Sequence, residues 1–227
     1  MKLYFDFFSQ PSRALYIFLK INKIPFEPCP VALQKGEHLT KEFKEKLTRF
    51  GKVPFIHDGD FKLAESVAIV RYAARKHDLD SKWYPKELRQ QARVDEYLEW
   101  QHNNTRTFCA LYFQKKWLVP MLTGEQPSPD RLKNLEKNLV QGLNEIENVW
   151  LANSPYLAGD QISVADIFGA CEIEQPRIAG FDAAEGRPVL SAWLEKVRKE
   201  TGPVYEEAHV SLNKLVQKTK EQASKAK

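Results

Sequence analysis

The chain has 227 residues, 43% hydrophobic and 28% charged, and a formal net charge of +4. That length supports one large core or two modest ones, and no run approaches the ~20 apolar residues of a membrane span, so a soluble protein is expected. Between Lys214 and Lys227 five Lys stand against one Glu, which accounts for the whole excess; the body is neutral, and neither nucleic acid nor a membrane is an expected partner.

The three cysteines, Cys29, Cys109 and Cys171, are odd in number and far apart. They fit neither a disulfide framework nor a metal site and suit a reducing cytosol. Met1 leads directly into strand-like sequence, with no basic and apolar leader, so no secretion signal is expected.

Strand-like runs cover Lys2–Phe8, Pro25–Val31, Val53–His57 and Phe61–Leu63, the last two joined by Asp58-Gly59. Helical periodicity covers Pro11–Asn22, with Ala14, Ile17, Phe18 and Ile21 on one face, and Glu65–Lys76, with Ala68, Ile69, Tyr72 and Ala73 on one face. The order is β-α-β, a loose segment, then β-β-α, which suits a small thioredoxin-like α/β sheet with a parallel start and an antiparallel hairpin. This first domain is assigned to residues 1–78, and residues 79–88, with their turn residues and Pro85, to a linker. Beyond the linker the strand signal fades. Leu132, Leu135, Leu139, Leu143, Ile146 and Trp150 mark a long helix with one buried stripe. Ser163 and Asp166 form a capping box, with Ile162 and Ile167 spaced as a staple. Further helices run about 189–199 and 203–218, giving an all-α domain over 89–218 and a basic, disordered tail over 219–227.

Four short stretches could carry chemistry. In "SQPSRA", Pro11 suits a first helical position, leaving Ser9 just outside a helix N-terminus that favours an anion. Ser9 reads as an ordinary helix-start residue or as a hydrogen-bond donor. It does not read as a nucleophile, because no Gly-x-Ser-x-Gly turn surrounds it, and Ser12 stands where a dithiol would need its second cysteine. In "GKVPF", Pro54 opens a strand and leaves Val53 extended, either as plain structure or with its N–H and C=O offered to a peptide-like ligand. In "LAES", Glu65 and Ser66 begin a helix, as caps or as a carboxylate and ammonium site. In "WQHNNTR", six consecutive polar residues interrupt a helical stretch, so its inner side is expected to meet water, a ligand or another subunit. Asn103 and Arg106 then share a face with Ala110, Phe113 and Trp117, a polar lip running into an apolar wall.

In this order, "SQPSRA", "GKVP", "LAES", "WQHNNTR" and "SVADI" resemble the cytosolic glutathione transferases, most nearly the theta class in an insect-like form. The resemblance spans almost the whole chain. It implies a thioredoxin-like domain followed by an all-helical one, a cytoplasmic homodimer, no metal, and glutathione as cosubstrate for attack on apolar electrophiles in detoxification. It implies Ser9 as the hydroxyl that binds the glutathione sulfur, with Arg106 as a second catalytic group. Val53 would pair with the cysteinyl backbone ahead of a cis Pro54, and Glu65 and Ser66 would hold the γ-glutamyl end. His38 and Lys52 would lie near the glycyl end, and Asn103 would join Arg106 where the family often has an acidic residue. Phe113 and Trp117 would meet the second substrate. The loop Leu47–Phe50 departs from the family's usual approach to the Val-Pro pair. Peroxide reduction or dehalogenation at the same site, and a non-catalytic ligand-binding or assembly module, are the alternatives.

Overall fold

The computed structural model describes residues 1–225. The first domain contains β1 (Lys2–Phe5), α1 (Gln10–Ile21), β2 (Glu27–Pro30), α2 (Lys41–Lys46), β3 (Phe55–Asp58), β4 (Phe61–Ala64) and α3 (Ser66–Lys76). The sheet order is β2-β1-β3-β4, with β1 and β2 parallel and the other pairs antiparallel. Pro28 and Pro30, which lack a ladder N–H, are tolerated because β2 is an edge.

Two expectations for this domain are corrected. The first strand ends at Phe5, not Phe8, because the Asp6 carboxylate accepts the Phe8 N–H at 2.7 Å and folds residues 6–9 into a turn. The segment expected to be loose holds two 3-10 turns, Leu33–Lys35 and Glu37–Leu39, followed by α2. Helix α2 starts because Thr40 Oγ1 accepts the Phe43 N–H at 3.2 Å, and Phe43 is buried against Val31 and Phe55. One apolar residue in six gives too little periodicity to read.

The helical domain contains α4 (Leu88–Trp100), α5 (Thr105–Phe113), α6 (Val119–Thr123), α7 (Pro129–Glu145), α8 (Val164–Glu174), α9 (Pro188–Thr201) and α10 (Pro203–Lys225). Helix α7 continues as a π-helical segment, Ile146–Trp150, and Leu139, Leu143 and Ile146 of the expected stripe are fully buried. Every residue of α8 is buried, and the Ser163–Asp166 capping box is present. The Asp166 carboxylate also accepts the Leu157 N–H and Trp193 Nε1, each at 2.8 Å; burial pushes its pKa up to about 6 against these donors. No helix among the described residues is long and apolar enough to cross a membrane.

The expected linker is itself structured: Trp83 and Tyr84 are buried, and the Trp83 carbonyl accepts the Val164 N–H at 2.7 Å. The expected disordered tail is helical over 219–225, because its Lys, Glu, Gln and Ala residues favour helix and Gln217 hydrogen-bonds Glu221 one turn on. Residues 226 and 227 of that expectation lie outside the described residues.

Candidate active site

Sheet register gathers the first-domain candidates at one end. Tyr4 pairs with Phe55 and Phe55 with Ala64, so β1 leaves, β3 enters and β4 leaves at the same edge. The segments that follow β1 and β4 and precede β3 carry Ser9, Glu65 and Val53, respectively. Ser9 Oγ lies 3.4 Å from the Val53 carbonyl. Ser9 is the N-cap of α1, with Pro11 in the first turn, yet its hydroxyl makes no capping hydrogen bond. The first-turn N–H groups of Gln10 and Ser12 have no acceptor within the helix, and the dipole adds positive potential there. The contact is long for an O–H donor and no capping bond competes with it, so the Ser9 hydroxyl can turn from Val53 and donate to something else.

Three groups fix the turn that presents Ser9. Asp6 takes the Phe8 N–H and, through its other oxygen, the Leu33 N–H at 3.1 Å. Arg13, fully buried in α1, donates to the Phe7 carbonyl at 2.8 Å, the Cys171 carbonyl at 3.0 Å and Gln175 Oε1 at 2.8 Å. Gln175 Nε2 in turn donates to the Phe8 carbonyl at 3.2 Å. The helical domain thereby holds the Ser9 turn directly through Gln175 and indirectly through Arg13.

Val53 precedes a cis Pro54, as the resemblance implied. Lys52 is exposed, and Gly51 packs so tightly on the His38 carbonyl that a Cβ would come within 2.9 Å of it. Gly51 also has φ +58°, so residue 51 requires glycine twice over, and this brings the 3-10 turn of His38 beside Lys52. Burial, then the Lys44 ammonium, lowers the His38 pKa, so its imidazole is neutral at neutral pH; its Nδ1 is buried without a partner. Glu65 has φ +69° and caps α3 without a side-chain hydrogen bond, while Ser66 is buried in the first turn. A non-glycine residue in that region is strained, as is common where a side chain is aimed at a ligand.

The polar run is not one continuous helix. After α4 comes a single 3-10 turn, Gln101–Asn103, and Asn104 (φ −119°, ψ −102°) breaks the path before α5. Gln101 and Thr105 are fully buried, contrary to the expected wet or ligand-facing inner side, because the break rotates them into the helical core. The same break leaves Asn103 exposed, so the shared face expected of Asn103 and Arg106 is interrupted. Burial, then the Arg106 guanidinium, depresses the His102 pKa, with Glu99 and then Glu65 opposing. Arg106 pairs with the buried Glu172 of α8 at 2.9 Å.

The apolar wall is continuous. Phe113 stacks on Trp117 at 5.6 Å, and Phe8, adjacent to Ser9, meets them at 5.6 and 5.9 Å, respectively. Leu118 and Leu215 are partly buried against the same cluster, which includes Leu212 and Val216 of α10.

The model of the glutathione S-transferase N-terminal domain matches residues 1–75, and that of the C-terminal domain matches residues 108–200. Bovine glutathione S-transferase theta-1 is 43% identical over 210 residues, spanning 92% of this chain and 87% of that protein. The chain belongs to the theta-class glutathione S-transferases. Human theta-1 is 42% identical over the same shares of the two chains. The structure of human glutathione S-transferase T1-1 in its apo form superposes with a TM-score of 0.90 at 41% identity, covering 95% of this chain and 90% of that one. Human theta-2, solved in complex with glutathione and an unknown ligand, gives 0.90 at 36% identity, covering 97% and 90%. A Bombyx mori glutathione transferase gives 0.80 at 25% identity, covering 96% of each chain. The insect-like form expected from the sequence is unsupported: bovine and human theta-1 match at 43% and 42% identity, and the Bombyx mori transferase at 25%.

Several residues that shape this candidate site escape a reading by motif: Asp6, Phe8, Arg13, Glu172 and Gln175. One signal was present. "ACEIEQ" places two carboxylates and an amide in an otherwise apolar helix, and buried charges require partners.

Proposed function

We propose that the chain conjugates reduced glutathione to apolar electrophiles, with the Ser9 hydroxyl donating to the thiolate. The observation that carries this reading is the weakly engaged Ser9 hydroxyl, 3.4 Å from the Val53 carbonyl and at the N-terminus of α1. A free thiol with pKa near 8.5 is only a few per cent ionised at neutral pH, and lowering that by about 2 units requires about 2.7 kcal/mol. A hydrogen bond to a charged sulfur supplies roughly 1.5–3 kcal/mol and a helix terminus ~0.3–1, so Ser9 and α1 suffice without a buried base.

The remaining roles follow the site. The Val53 backbone pairs with the cysteinyl unit, next to Pro54. Glu65 and Ser66 hold the γ-glutamyl ammonium and carboxylate. Neutral His38 and cationic Lys52 take the glycyl end. Arg106, with Asn103 at the rim, stabilises negative charge from the helical side. Phe113 and Trp117, joined by Phe8, hold the electrophile. A cytoplasmic homodimer, resting on the family and the cysteine usage, completes the reading; a monomer by sedimentation at micromolar concentration would refute the dimer. The direct test is steady-state conjugation of glutathione to a panel of aryl and alkyl halides, with a hydroperoxide included. Saturable turnover is expected. Binding of glutathione without turnover of any of them would reduce the protein to a carrier.

A further inference from the structure

Two carboxylates of α8, two residues apart, are both 1% exposed, and their surroundings differ sharply. Glu174 is saturated: Arg177, Arg198 (2.5 Å) and the Tyr205 hydroxyl (3.4 Å) all donate to it. Those cations hold it ionised against desolvation, and its role is architectural. Glu172 has one hydrogen-bonded partner, Arg106, on Oε1, and its Oε2 is buried with none. Burying a carboxylate for a single pair with a guanidinium that is 35% exposed does not stabilise a fold, since an apolar side chain of similar volume would serve as well or better. Stability does not explain Glu172. Its effect on Arg106 does.

Glu172 also sits at the junction already described. The preceding residue, Cys171, and Gln175, three residues on, hold Arg13 and through it the Ser9 turn. The C-terminal end of the buried helix α8, with Gln175 just past it, thereby fixes the Ser9 turn on one side and the Arg106 guanidinium on the other. Among the described residues Glu172 is the sole protein partner of that guanidinium.

We propose that Glu172 is a positioning residue: it holds Arg106 through Nη1 so that the other donors of the guanidinium meet the negative charge of the reaction. The inference rests on the transferase reading above. Burial raises the Glu172 pKa, while Arg106 and then Arg13 oppose that shift.

The test is a double-mutant cycle of Glu172→Gln and Arg106→Ala, with kcat and KM measured separately across pH. Each single change is expected to lower kcat/KM by roughly 10–100-fold, and the double variant to lose little more than either alone. Glu172→Asp, which keeps the charge, recovers part of the loss. A merely structural role would lower the Tm of Glu172→Gln yet leave its kcat intact at low temperature, or make the two losses multiply; either result overturns the proposal. A second readout is independent of turnover. The Arg106 guanidinium Nη–H signals in NMR are expected to be held from rotation and exchange in the wild type and to broaden in Glu172→Gln. Equal exchange in the two proteins overturns the proposal even if the wild type proves inactive, an outcome that on its own would instead refute the transferase reading.

Discussion

Ser9→Ala separates chemistry from folding unusually cleanly. In most helices an N-cap serine lost to alanine costs ~1 kcal/mol, because a backbone N–H loses its acceptor. Here the hydroxyl makes no capping bond, and its one hydrogen bond among the described residues, to the Val53 carbonyl, is 3.4 Å long. The unfolding free energy should therefore change by no more than about 0.5 kcal/mol. The bound thiolate, by contrast, loses a charge-assisted hydrogen bond of roughly 1.5–3 kcal/mol, while the α1 dipole remains. At 1.36 kcal/mol per pKa unit, the pKa of bound glutathione should rise by about 1–2 units. Below the wild-type value, kcat/KM for an aryl halide should fall roughly 10–100-fold. The pKa is read from ultraviolet thiolate absorbance of the enzyme–glutathione complex across pH, and stability from urea unfolding of the same preparations. Unchanged thiol ionisation and full turnover in the variant would remove Ser9 from the mechanism. A large loss of stability would show that the hydroxyl is structural after all.

Two further outcomes test the packing around the site. His209 is buried and stacked on Tyr205, with Nδ1 on the Tyr205 carbonyl and Nε2 unpartnered; burial, then Arg13, depresses its pKa to about 3, with Arg198 acting in the same direction and Glu174 opposing. The unfolded chain thus binds a proton below pH ~6.5 that the native state refuses, so stability falls with pH, by about 2 kcal/mol between pH 7.5 and 5. Denaturant melts should show that slope reduced in His209→Phe, and identical slopes would contradict the assignment. Gly169 of α8 is in close contact with the next layer: a Cβ there would come within 2.7 Å of Tyr97 Oη and 2.8 Å of Leu157 Cδ1. Gly169→Ala should cost about 1–3 kcal/mol by overpacking, read as a lowered urea midpoint, and an unchanged midpoint would mean that α8 can shift.

Much of the architecture was legible because periodicity is a core signal. The β-α-β and β-β-α order, the α7 stripe and the Ser163–Asp166 box each follow from where apolar and capping residues fall. The misses share a cause as well. Helix α2 has one buried apolar residue, so its pattern is silent, and the Asp6 turn depends on a carboxylate that also reaches Leu33, 27 residues on. The polar run from Gln101 to Arg106 stands out in the sequence, but its inner side, expected to meet water, a ligand or another subunit, is buried at Gln101 and Thr105. Nothing local announces that Asn104 breaks the helix and rotates Gln101 and Thr105 inward. In the site, Ser9, Val53 and Glu65 were visible as end-of-element residues. Arg13 and Glu172 were not, because two of the three Arg13 acceptors lie 158 and 162 positions away and the Glu172 partner 66.

The Arg13 side chain has a consequence for protein engineering. Its guanidinium originates in the first helix but finds two of its three acceptors in the other half of the molecule. Cut at the linker, or fused to an unrelated bundle, the N-terminal half would keep its sheet and lose the anchorage of the very turn it is valued for. Chimeras within this class should therefore carry α8 along with the thioredoxin-like portion, or recreate a carbonyl and an amide at the same spot.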